Sequence, residues 1–147
     1  MRRHWMGVLA KAPEGEIEEA WERLAEKPGY QFLRAPETGL AMVQARMGGT
    51  GRPFNLGEMT ITRCTIRTAQ GCVGHAYVPG RHPRHAELAA VFDALLQDDL
   101  CRDTLLKTLV RPLQEQEEQR QHCLGLKTAA TKVDFFTMVR GHNGDEI

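Results

Sequence analysis

Apolar positions along this chain keep two rhythms. They recur every three or four residues up to Leu24 and again from Leu88 onward, and every second residue across much of the stretch between. The first is the period of an amphipathic helix and the second that of a strand with one buried face. Trp5, Val8 and Leu9 fall on one helical face. Ile17, Ala20, Trp21 and Leu24 predict a second helix over residues 14–26, with Glu14, Glu16, Glu18 and Glu19 crowding its first turns, where the helix dipole favours acids. Pro28 and Gly29 stop it.

The period then shortens to two. Tyr30 to Ala35 reads as a strand, and Pro36 to Gly39 has turn chemistry. Leu40 to Met47 reads as a second strand with Ala41, Val43, Ala45 and Met47 on one face, broken by Gly48, Gly49, Thr50 and Gly51. Glu58 to Thr68 is a third. Met59 and Ile61 share a face there, whereas Cys64 and Ile66 fall in the opposite phase, which predicts a bulge near Thr62 and Arg63. Gln70 and Gly71 mark a hairpin turn into a fourth strand, Cys72 to Val78. Short neighbouring strands joined by tight turns predict an antiparallel meander.

Beyond Pro79 and Gly80 the helical period returns. Pro83 to Gln97 carries a stripe of Leu88, Val91, Phe92 and Leu95, with Ala89 and Ala90 permitting close packing. Asp103 can cap a further helix bearing Leu105, Leu106, Leu109 and Val110, which Pro112 should interrupt or restart. Gln114 to His122 is almost wholly polar, so it gains little from packing and reads as a solvated connector. Apolar residues resume at Val133, Phe135, Phe136, Met138 and Val139. The expectation is an α+β fold: an antiparallel sheet of about four strands packed by helices near residues 14–26 and 83–97. Residues 1–113 form the core domain, and residues 114–147 form a connector and an apolar C-terminal strand, not an independent domain. Val133, Phe135, Phe136, Met138 and Val139 put apolar groups on both faces of that strand. It is therefore either a central strand of the chain's own sheet or a segment that pairs with a partner subunit.

Composition narrows the function classes. Nineteen Lys plus Arg balance 19 Asp plus Glu, a net charge of zero that argues against a dedicated nucleic-acid binder. No apolar run reaches the roughly 18 residues of a membrane span. The run from Trp5 to Ala10 is too short for a signal segment, so a cytoplasmic protein is expected. Cys64, Cys72, Cys101 and Cys123 form no CxxC pair and read as reduced thiols.

Candidate chemistry lies in two anion-binding patterns. Gly48, Gly49, Thr50 and Gly51, flanked by Arg46 and Arg52, could present backbone N–H groups to a phosphate, or could be a hairpin loop that needs positive φ. They are not a P-loop, since GxxxxGK[ST] is absent. Gly80 and Arg81 stand ahead of a helix N-terminus, which favours a phosphate or a partner's carboxylate. Arg63 breaks the apolar alternation of its strand and could make a polar contact. His75, His82 and His85 complete no metal-ligand set, so no metal is expected. Glu58 and Asp93 are carboxylates of the kind that serve in acid–base catalysis, but no self-sufficient catalytic group of residues emerges.

Several strings carry a resemblance: RHWMGVLA (Arg3 to Ala10), ARMGGTG (Ala45 to Gly51), GEMTITR (Gly57 to Arg63), GHAYVPGR (Gly74 to Arg81), HAELAAVFDALLQ (His85 to Gln97) and TKVDFFTMVRG (Thr131 to Gly141). In this order they resemble the G subunits of bacterial carbon–phosphorus lyase, the PhnG family. The resemblance implies a subunit that assembles with H, I and J subunits, the I subunit most directly. At the level of the complex, it implies support for displacement of adenine from ATP by a phosphonate, giving a ribose 1-phosphonate 5-triphosphate. The family places that chemistry on the I subunit, and later carbon–phosphorus cleavage on the iron–sulfur J subunit. This chain is thus expected to hold no cofactor alone and to complete a site rather than to catalyse.

Overall fold

The structure is a computed structural model that describes residues 1–131; Val133, Phe135, Phe136, Met138 and Val139, expected as a partner interface, lie outside the described residues. The element order is α1 (Arg2–Lys11), α2 (Glu14–Arg23), β1 (Tyr30–Arg46), a short 3-10 turn (Met47–Gly49), β2 (Pro53–Thr68), β3 (Val73–Pro79), α3 (Pro83–Leu95), α4 (Asp99–Leu105), a π-helical turn (Leu106–Val110) and α5 (Arg111–Ala130). Among the described residues no helix is long and apolar enough to cross a membrane.

The architecture is α+β, with one antiparallel sheet in the order β1-β2-β3. It therefore has three strands among the described residues rather than about four. The two strands expected on either side of Pro36 to Gly39 are one, because the expected turn stays in the ladder: Glu37 pairs with Arg63 and Thr38 with Thr62. The physical reason is position. Among the described residues β1 is an edge strand, where proline's missing N–H breaks no ladder, and register shifts between Phe32 and Glu37 absorb its fixed geometry.

The bulge expected near Thr62 and Arg63 is absent from the β2–β3 pairing, which runs unbroken from Ile61–Pro79 to Arg67–Val73. The change of apolar phase has another cause. Thr62, Cys64, Ile66 and Thr68 all face the core, and the first of these is polar. The Thr62 hydroxyl donates to the Gly80 carbonyl at 2.8 Å and accepts from the His82 N–H at 3.0 Å, so its burial is compensated.

Helix α3 lies on that face and is buried on almost every side, including Leu88 to Ala94. Close approach needs Gly74: a Cβ there would sit 1.9 Å from the Ala90 carbonyl oxygen. Trp5 and Leu9 of α1 and Ile17 and Trp21 of α2 complete the core, both helices packing on α3 and α1 also on β3. Leu105, Leu109, Val110 and Leu113 extend it along the C-terminal helices. Pro112 does not break that rod. Leu105, Leu106, Val110 and Arg111 are all right-handed helical, and the turn ahead of Pro112 is wound with π spacing, which relieves the clash its ring makes in a regular helix. The polar stretch from Gln114 to His122 forms the middle of α5, whose buried residue is Leu113.

Candidate functional site

The buried titratable groups are committed to holding helices on the sheet. Asp93 is fully buried and accepts four bonds: Arg2 Nε at 3.1 Å, Arg2 Nη2 at 2.7 Å, Trp5 Nε1 at 2.9 Å and the His75 N–H at 2.9 Å. It ties α1, α3 and β3 together, and the bond to Asp93 holds the Arg2 guanidinium charged still more firmly. His85 Nε2 lies 2.7 Å from the Leu9 carbonyl, and burial lowers its pKa from the usual histidine value. Burial pushes the Cys64 thiol up to about 11, an inert state for a nucleophile. Tyr30 bonds to Glu87, and burial, then that carboxylate, push its phenol up to about 12. Arg84 joins Glu87 to Glu18, fastening α2 to α3.

The phosphate-contact candidates fall into two separate places. Arg46, Gly48, Gly49, Thr50 and Gly51 form the tip of the β1–β2 hairpin. Gly48 and Gly49 have φ of 59° and 81°, and the Gly51 N–H bonds the Met47 carbonyl at 2.8 Å. A Cβ on Gly51 would stand 2.6 Å from that carbonyl oxygen, so the turn itself requires these glycines. Arg46 donates to the Gly51 carbonyl at 3.1 Å. Gly80, with φ of 86°, bonds the Thr60 carbonyl at 2.8 Å, and exposed Arg81 leads into α3. From the Arg46–Pro53 pair to Thr60 the ribbon runs about 23 Å at ~3.3 Å per residue. The tip glycines therefore do not share a site with Gly80 and Arg81.

Arg63 stands on the sheet face opposite α3. Its Nε donates to Glu37 Oε1 at 2.6 Å, and Arg34 reaches the same oxygen at 3.4 Å. Register brings further polar residues to this face: Thr65 and Arg67 follow Arg63 on β2, with Tyr77 and His75 across from Arg63 and Thr65 on β3. Thr65 Oγ1 and His75 Nδ1 are 3.1 Å apart. His75 and Tyr77 also line a shallow groove of about 610 Å³ with Arg2, Arg3 and Met6. Arg67, His75 and Tyr77 were not singled out from sequence as anion contacts. The signal that could have found them is the period-two row Arg63, Thr65, Arg67 running out of phase with Thr62, Cys64 and Ile66.

A second cleft, of about 430 Å³, lies at the start of α3 between His82, His85, Lys11, Glu14 and Arg120. His82 Nδ1 is 3.2 Å from Glu14 there. The His82 and His85 rings are 6.5 Å apart, and among the described residues no three His, Cys, Asp or Glu side chains are grouped to hold a metal. Among the described residues, the surfaces open to ligands or partners include the basic sheet face, the hairpin and this cleft.

A family model described as phosphonate metabolism protein PhnG matches residues 1–141. The chain is also similar to a Rhizobium meliloti protein, alpha-D-ribose 1-methylphosphonate 5-triphosphate synthase subunit PhnG. Identity is 45% over 144 residues, covering 97% of this chain and 90% of that relative.

Proposed function

The chain belongs to the PhnG family of phosphonate metabolism proteins, and from that premise we propose that it is a site-completing, non-catalytic subunit of a multi-subunit phosphonate-processing enzyme. The reaction supported is displacement of adenine from ATP by a phosphonate, leaving a ribose 1-phosphonate 5-triphosphate. The partners are the H, I and J subunits of carbon–phosphorus lyase, with the I subunit in direct contact, in the cytoplasm.

The observation that carries this reading is the end-to-end match to a synthase subunit, 45% identical over 97% of the chain. The geometry agrees with a supporting role. Asp93, His85, Cys64 and Glu87 are engaged in packing, while Arg63 and Arg67 stand on the face α3 leaves open. Polyphosphate and phosphonate oxygens are bound by guanidinium groups of this kind. We assign Arg63 to such a contact, with Arg81 and its neighbour Gly80 as a second anchor at the same end of the sheet. Arg46 and the glycine turn are assigned to assembly.

The test is phosphonate-dependent adenine release by the reconstituted enzyme. Omitting this subunit should abolish it. Arg63→Ala should lower it at least tenfold while the complex still elutes intact. Full release without the subunit defeats the proposal, and an unchanged rate with Arg63→Ala removes the phosphate contact alone.

A further inference from the structure

Strand β3 ends at Pro79, opposite Ile61, so from Thr60 to the tip β1 and β2 continue as a two-stranded ribbon. Such a ribbon is marginal in water by itself. This one also exposes large apolar side chains: Leu40 at 66%, Met42 at 55%, Met47 at 75%, Phe54 at 42%, Leu56 at 64% and Met59 at 38%. Register spreads them over both faces. Leu40 and Met42 lie opposite Thr60 and Glu58, while Met59 and Phe54 lie opposite Ala41 and Ala45 on the other side. Contiguous apolar surface on two faces of a projecting element marks an interaction site.

Charge and backbone narrow the occupant. Across residues 39–60 the charged residues are Arg46 and Arg52 at the tip and Glu58 near the base, opposite Met42. The outer edge of β1 carries unpaired backbone N–H and C=O groups among the described residues, since β1 is the terminal strand of the sheet. A lipid surface offers an apolar medium but no backbone partners for such an edge; a protein strand or loop offers both. The ribbon is also shaped in advance. A register shift between Val43 and Gln44 leaves Leu56 as the extra residue, and a Gln44–Asn55 side-chain bond of 3.2 Å sits beside it.

We propose that the hairpin of residues 39–60 is a docking arm that inserts into a different subunit of the same enzyme. Its receiving groove is apolar along the walls, pairs with the β1 edge, and carries carboxylates at its far end for Arg46 and Arg52. This rests on the subunit reading above and adds the surface by which assembly occurs.

The test is affinity capture of the co-expressed companion subunits by the full chain, comparing wild type with Met42→Asp/Leu56→Asp and with Arg52→Glu. Both substituted apolar side chains are exposed, so the isolated variant should melt as wild type does. Recovery of companions should fall at least tenfold for the double variant and several-fold for Arg52→Glu. Equal recovery with the double variant overturns the arm while leaving the subunit reading intact. Capture of no companion by wild type overturns both. Loss of a discrete dimer of this chain with unchanged companion recovery overturns it too, making the occupant a second copy. Backbone amide exchange of Leu40 to Ala45 in the assembled complex provides a check independent of any variant. More than tenfold slowing relative to the free chain is expected, and no slowing overturns the β1 pairing.

Discussion

Asp93 sits among Val91, Phe92 and Ala94, where an unpaired carboxylate would be untenable, and its four donors come from two other elements, α1 and β3. Asp93→Ala strands the Trp5 indole N–H and the His75 N–H and leaves Arg2 without its counter-charge. A loss of about 3 kcal/mol is expected by urea unfolding, the low end for a broken buried pair because Arg2 keeps some water. Gly74→Ala should be as damaging for a steric reason, since backbone rather than a flexible side chain occupies the space of the added methyl. His85 provides a pH signature. Burial favours its neutral form, so its contribution is full above about 6.5 and is lost as pH falls through the lower folded value. The acid limb of the stability profile should therefore flatten in His85→Gln, measured by melting between pH 7 and 5; a parallel limb would exclude His85 as its source. None of this was legible in the sequence as structure. Asp93 looked like a possible acid–base group because its partner Arg2 lies 91 residues away, and no local pattern links such positions.

At the scale of elements, what the sequence showed were the elements whose largest apolar residues recur with a clear period. α2 and α3 match their apolar stripes, and β3 matches Cys72 to Val78 closely. The misreading came where edge and centre differ. Pro36 and Gly39 have turn chemistry, but on an edge strand nothing forces the chain to turn, and cross-strand pairing of Glu37 with Arg63 and Thr38 with Thr62 carries β1 through. The Glu37–Arg63 pair is half exposed on both sides, so it is register detail more than glue. Glu37→Ala should cost under ~1 kcal/mol in thermal melting, far less than Asp93→Ala. A loss of several kcal/mol would show that the turn-like segment is held in the ladder by that ion pair. The same edge logic explains the hairpin. Alternation in Ala41, Val43 and Ala45 was visible, but exposure of Leu40, Met42 and Leu56 was not, because period two cannot say whether either face is covered.

Across the whole molecule, stability must be uneven, and the unevenness follows burial. α3, the middle of β2 and β3 share one core, so their amides should open only with global unfolding. Among the described residues the ribbon beyond Thr60 lacks β3 on one side, and its large apolar side chains are exposed. The end of α5 past Gln121 exposes every residue, including Leu124 at 51% and Leu126 at 59%. A short helix without tertiary packing is marginal. Hydrogen exchange on the isolated chain should therefore show Ile66, Ala76 and Val91 slowest, and Leu40 to Val43 and residues 122–130 faster by at least two orders of magnitude. Uniform protection would mean that local pairing alone holds the ribbon, and the physical case for a partner would weaken. The predicted hierarchy would instead show a fold with a self-sufficient core and a projecting hairpin completed by assembly. In the complex the fast segment Leu40 to Val43 should then become slow while the core amides barely change.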